Sequence, residues 1–254
     1  AISSTSVRFS NTLGAPASAR QPDGTLNLEM DDNRFSSRLV RIGGSYWGVY
    51  LRSSNSSAGT RPNIVRWFEI DAAALGSSPF QPLMQQGTIE LGTPGSDDQD
   101  LHYPSIAVNE FGDVVIGFSA SGPGSRQYPS AYAVVGHTSG TTTTFGDPIQ
   151  LKAGTTSYQR LASGRNRWGD YSNTVVDPAD TNIFWTFQEW ASNGNIWNVQ
   201  ATELITFDTN ERYWYHISDG AFAINLNWLA APSPQASDHA VFSRGGAPYT
   251  VRFT

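Results

Sequence analysis

The chain has 254 residues, a net charge of -6, no cysteine and a single lysine, Lys152. Without cysteine there are no disulfides, thiolate nucleophiles or zinc-thiolate sites. An acidic chain without clustered Lys and Arg also lacks the footprint of nucleic-acid binding, and no apolar run reaches the ~18 residues of a membrane-spanning helix. Hydrophobic residues make up 39% and charged residues 15%, with 24 Gly and 14 Pro, a composition that suits a turn-rich, all-β protein. The chain opens on Ala1-Ile2-Ser3-Ser4 with no initiator methionine. Together with scarce lysine and frequent Ser, Thr, Asn and aromatics, this leads us to expect a processed, secreted protein, extracellular or at the cell envelope.

Residues 1–9 read as one short strand, and Ser10 to Arg34, with its prolines and Asp31-Asp32, as loop. A first unit, near residues 36–95, starts with Leu39–Ile42. The Gly43-Gly44 pair then marks a hairpin turn into Tyr46–Leu51. Ile64–Ile70 is a third strand, Asp71–Leu75 a single helical turn, and Gln86–Leu91 a fourth strand. A second unit, near 101–155, repeats the plan: Ile106–Val108, an Asn109–Asp113 turn, Val114–Phe118, Ser130–Val135 and Pro148–Leu151. A third, near 165–218, has Val175-Val176, an Asp177-Pro178-Ala179-Asp180 turn, Ile183–Phe187, Ile196–Ala201 and Arg212–Ile217. The β-branched and aromatic runs mark the strands, and the Asn, Asp, Gly and Pro clusters mark the turns. Asn225–Leu229, His239–Ser243 and Tyr249–Phe253 add three further strands.

The second strands begin near Tyr46, Val114 and Ile183, and the third near Ile64, Ser130 and Ile196, so both series advance by 66–69 residues. A four-stranded antiparallel unit repeated about every 68 residues is the pattern of β-propeller blades with long connections; accidental regularity in a β-sandwich is the competing reading. Fewer than four such units fit in 254 residues. Either the ends close a small propeller of four or five blades, or the chain is part of a larger one whose open ends are covered by a second chain or copy.

Three stretches, IVRWFEID at Ile64–Asp71, YPSIAVNEFGDVVIGFS at Tyr103–Ser119 and RWGDYSNTVVDPADTNIFWTFQE at Arg167–Glu189, resemble secreted bacterial β-propeller proteins of the sialidase-like or BNR-like type. They cover about a quarter of the chain. The resemblance implies the propeller fold, with loops that open onto an axial face where ligands bind. The Asp-box pattern S-x-D-x-G-x-T-W does not occur, so sialidase activity is not implied with it.

The loop Gly164–Tyr171 precedes the first strand of the third unit and carries the densest chemistry. Arg165 and Arg167 can clamp a carboxylate or sulfate. Asp170 can act as a general acid or cation ligand, Tyr171 as nucleophile or proton donor, and Trp168 can stack on a sugar ring. The same residues can equally lock neighbouring blades together. His102 and Tyr103, at the sister position, complete with Arg165 a His/Tyr/Arg set suited to proton abstraction beside a uronate. Glu189 with Asp170 makes a glycosidase-like carboxylate pair, or Glu189 is a salt-bridged strand-end residue. Asp97, Asp98 and Asp100 are the best calcium candidates, ahead of Asp31-Asp32-Asn33, though neither run fits an EF-hand and an acidic solvated loop is the alternative. His137, His216 and His239 show no zinc spacing. Two functional readings follow. One is a binding or structural module for a carbohydrate or protein partner. The other is a carbohydrate-active enzyme, hydrolase or lyase, with its site on the axial face.

Overall fold

The computed structural model describes residues 15–30, 35–54, 62–75, 82–93 and 95–206, and five short strands beyond residue 210. The expected strand at 1–9 and the Asp31-Asp32-Asn33 run lie outside the described residues. The protein is all-β, built of antiparallel sheets up to Ile205. Among the described residues no helix is long and apolar enough to cross a membrane.

The first sheet is a four-stranded meander of β1 (Val40–Ile42), β2 (Ser45–Ser53), β3 (Asn63–Asp71) and β4 (Leu83–Ile89). Its first turn is the expected Gly43-Gly44, with Gly43 at φ 53°, a conformation glycine adopts without strain. Asp71–Leu75 is a turn rather than a helix: Asp71 Oδ1 accepts the Ala73 amide at 2.8 Å and holds the chain in an Asx turn. The second sheet contains β5 (Asp100–Val108), β6 (Asp113–Ser121), β7 (Ser130–Ser139), β8 (Thr142–Phe145) and β9 (Ile149–Lys152). Here β8 and β9 pair with successive parts of β7, so the fourth strand is split in two around Gly146–Pro148. A short hairpin follows, β10 (Leu161–Ala162) and β11 (Arg165–Asn166). The third sheet is three-stranded, with β12 (Asn173–Val176), β13 (Ile183–Asn193) and β14 (Ile196–Ile205).

The expected fourth strand of the third unit exists but belongs elsewhere. β15 (Glu211–Trp214) pairs antiparallel with β17 (Trp228–Leu229) and parallel with β18 (His239–Val241). β16 (Gly220–Ala221) pairs parallel with β19 (Val251–Arg252). These strands form a separate unit, 206–254. Strand counts therefore differ from sheet to sheet, and a uniform four-stranded repeat is not what the described residues form.

The three main sheets stack face to face, the second in the middle. Every residue of β5 and β6 is buried, as expected of strands covered on both faces. Alternation divides them. Ile106, Val108, Val114, Ile116 and Phe118 pack with Val49, Leu51, Val65 and Trp67 of the first sheet. Ala107, Val115 and Ala133 pack with Phe184 and, at the margin, Val176 and Leu204 of the third. The second interface also holds a polar seam. Ser105 and Thr174 hydroxyls lie 2.8 Å apart, Thr174 and Thr186 2.9 Å, and Gln188 Nε2 donates to Ser105 and Thr186 at 3.1 and 2.9 Å.

Candidate functional site

Three segments distant in sequence build the site at the end of the sheets where β5 and β12 begin. The first is the 15–30 segment, expected to be plain loop. Ala19 and Leu28 exchange two backbone hydrogen bonds of 2.8 Å, closing the chain around a 3-10 turn at Pro22–Gly24. Ala19, Leu28 and Met30 are buried in the same core as Leu101, Tyr103, Tyr158 and Trp168. This anchorage aims Arg20 and Glu29 at the sheets.

Arg20 meets the residues proposed as calcium ligands. Its Nη2 donates to Asp98 Oδ2 and its Nε to Asp100 Oδ2, each at 2.7 Å. Asp100 also accepts the amides of Arg20 and Asn63 at 2.9 and 2.8 Å. Burial alone would raise the Asp98 carboxyl, but the hydrogen bonds from Arg20 and the Gly95 amide outweigh it and hold it below the usual range. Asp97 is exposed and caps its own loop, accepting the Thr93 amide at 2.7 Å. A guanidinium thus supplies the cation to Asp98 and Asp100. Among the described residues no group of three His, Cys, Asp or Glu is placed to hold a metal.

Glu29 reaches the second segment, the Arg165–Tyr171 loop. Its carboxylate accepts hydrogen bonds from Arg165 Nε and Nη2 through Oε1, and lies 3.9 Å from Arg167 Nε through Oε2. Arg167 Nη2 also pairs with Asp170 at 3.3 Å. Arg165 and Arg167, expected to clamp an external carboxylate or sulfate, both lie against a carboxylate of the chain itself. The two aromatics of the loop take opposite places. Trp168 is buried, packed edge-on against Tyr158 at 4.9 Å and His102 at 5.8 Å between ring centroids. Tyr171 is 73% exposed. The side chain available to an external sugar ring is thus Tyr171, not Trp168.

His102 and Tyr103 lie at the start of β5. His102 is fully buried, and burial drives its pKa down to about 3, so the ring is neutral. Its Nε2 is 3.5 Å from Ser121 Oγ, and its Nδ1 finds no protein partner. Tyr103 sits at φ 48°, where the register of β5 and β6 shifts between His102 and Ser105, a bulge that Pro104 makes necessary because proline cannot donate to the ladder. The Tyr103 hydroxyl donates to the Glu29 carbonyl at 3.3 Å, and the Tyr103 carbonyl accepts from Ser172 at 2.6 Å. His102, Tyr103 and Arg165 are each tied into the scaffold and do not converge on open space.

Glu189, near the end of β13, is the most perturbed carboxyl. It is buried, and burial first, then the Asp170 charge, raises its pKa to about 7. Gly169 packs directly on it: a Cβ there would collide with both carboxylate oxygens. Its Oε2 is buried without a hydrogen-bond partner, as is Trp168 Nε1. Tyr158, in the third segment, Thr155–Arg160, packs edge-on against Trp168 in the same cluster. Burial raises its hydroxyl pKa, Arg160 opposes that by charge and hydrogen bond, and the Glu189 charge adds to it. Tyr158 and Glu29 were not singled out from the sequence. The available signal was a lone aromatic in the polar run Thr155–Arg160, and Glu29 set between apolar Leu28 and Met30.

The chain matches no protein-family model and no curated protein.

Proposed function

We propose that the chain is a ligand-binding module of a secreted or cell-envelope β-propeller, with an acidic carbohydrate as its ligand, seated on the Arg165–Tyr171 loop. The observation that carries this reading is that the exposed Tyr171 ring stands on the same short loop as the Arg165 and Arg167 guanidinium groups, whose side chains remain 50% and 38% exposed. An aromatic face for the sugar ring and paired guanidinium groups for its carboxylate or sulfate are the elements of acidic-glycan recognition. Glu29 stands where the ligand carboxylate goes and is displaced by it. The propeller reading is supported by the face-to-face order of the three sheets and by the 66–69-residue spacing of their second and third strands. A second chain or copy completes the structure, meeting the apolar outer face of β13 and β14, where Phe187, Trp197, Val199 and Ile205 are exposed.

A second reading, hydrolysis at the same loop, is favoured by one observation: burial, and then the Asp170 charge, raise the Glu189 pKa to about 7. A carboxyl with a raised pKa near a second carboxylate is an arrangement that glycosidases use. One experiment addresses both readings. The protein is titrated calorimetrically with oligogalacturonate, and the sugar is then recovered. Binding lost in Tyr171→Ala, with the oligosaccharide returned intact, is the expected result. Shortened oligosaccharide selects hydrolysis, and no heat with any uronate or sulfated oligomer removes both.

A further inference from the structure

At the far end of β5, roughly 20 Å from His102 and Tyr103 by strand rise, the first hairpins of the first and second sheets enclose an open groove of about 330 Å³. That volume is at the low end for sites that hold a side chain or small ligand. Its floor is apolar, from Ile42, Trp47 and Val108, and its charge is Glu69 and Glu110. Glu69 is held in place: it lies opposite Trp47 in the β2–β3 register and opposite Gln85 in β3–β4. Gln85 Nε2 donates to Glu69 Oε2 at 2.6 Å, while Gln85 Oε1 accepts the Thr143 amide of the second sheet at 2.9 Å. Glu69 is thus buried, held through Oε2 by Gln85, and lines the groove. Glu110 is exposed at the rim, its Oε1 accepting from Thr181 at 3.1 Å.

Among the described residues no Lys or Arg lines the groove. The nearest cation in sequence, Arg41, is paired with Tyr46 and stands over its ring at 5.8 Å, on the opposite face of the sheet from Ile42, Ser45 and Trp47. The rim is formed by Gly43, Gly44 and Gly112, and the space above Gly43 and Gly44 is open to 4 Å, so bare backbone faces outward there. Phe111, beside Gly112, is exposed. An apolar floor, an oriented carboxylate, a second carboxylate at the entrance and a flat glycine rim complement a basic side chain on an extended peptide.

We propose that this groove is a docking site for a lysine or arginine side chain of a partner protein, its cation between Glu69 and Glu110 and its backbone across the Gly43-Gly44 turn. The site is separate from the Arg165–Tyr171 loop and does not depend on the reading given to it. It is tested on the intact chain by following the backbone amides of Gly43, Gly44 and Gly112 by NMR. The probes are the peptide acetyl-Gly-Arg-Gly-amide, its Gln counterpart, and agmatine. The Arg peptide is expected to shift these three signals saturably and the Gln peptide to leave them still. Glu110→Gln, at an exposed position, should weaken binding about five-fold, and Glu69→Gln, which keeps a carbonyl oxygen for Gln85, about ten-fold or more. Equal shifts with the Arg and Gln peptides, or unchanged affinity in Glu110→Gln and Glu69→Gln alike, overturn the proposal. Agmatine binding as tightly as the Arg peptide overturns its peptide component.

Discussion

At Glu189, burial and the neighbouring Asp170 charge place the folded-state pKa near 7, against 4.5 for an ordinary glutamate. Between those values the folded chain holds a proton that the unfolded chain has lost. Stability is therefore full below pH 4.5 and lost as pH rises through 7, by an amount of the order of 3 kcal/mol. His102 acts in the reverse sense. Its folded pKa of about 3 lies below the ordinary 6.5, so the contribution is full above pH 6.5 and lost as pH falls towards 3. Glu189→Gln removes the first limb and leaves the second. Chemical denaturation from pH 4 to 9 should show wild type losing stability relative to the variant between pH 4.5 and 7, with a constant difference above that range. A variant that falls in parallel with wild type would mean that Glu189 is ionised throughout. The loop chemistry was legible in part: Arg167 and Asp170 fall in the irregular stretch before β12, while Arg165 lies in β11 and Glu189 inside β13 rather than after a strand ending at Phe187. Which aromatic faced outward was not legible, because an irregular loop has no period from which to read it. Glu29 was hidden for a different reason. It lies 136 residues from Arg165, and no local pattern reports such a pairing.

The strands themselves were easier to read. β2, β6 and β13, and β3, β7 and β14, start within one residue of their expected positions, because β-branched and aromatic runs bounded by Gly, Asn and Asp are strong local signals. β5 was read as Ile106–Val108 only, yet it begins at Asp100. Its first half carries Asp100, His102, Pro104 and Ser105, residues that argue against a strand by composition. They are accommodated by partners from elsewhere: Arg20 on Asp100, Ser121 beside His102 and Thr174 on Ser105. The polar seam at the second interface gives this scale its prediction. Gly117 faces it, and a Cβ there would collide with Thr186 Oγ1 and Gln188 Nε2. Gly117→Ala should destabilise by about 1–3 kcal/mol through overpacking, with the seam hydrogen bonds disturbed. Gly44→Ala, at a turn position with open space, serves as the control in the same urea titration. Equal midpoints for the two variants would show that the sheets do not meet as described.

At the scale of the molecule, the middle sheet is covered on both faces, while the third exposes Phe187, Val199 and Ile205 on one side of β13 and β14. An apolar sheet face of this kind is an interaction surface by default. Sedimentation velocity should find the isolated chain self-associated through this face. The double variant Phe187→Glu, Val199→Glu should shift it towards monomer, and a well-folded wild-type monomer at all concentrations would contradict the proposed completion by a second chain or copy. The proposed binding site is the Arg165–Tyr171 loop held by Glu29. A crystal structure of the protein soaked with oligogalacturonate tests it most directly. The expected result is a sugar ring stacked on Tyr171 with its carboxylate at Arg165 and Arg167 and Glu29 displaced; an oligosaccharide bound elsewhere, with the Glu29–Arg165 pair intact, would rule the site out.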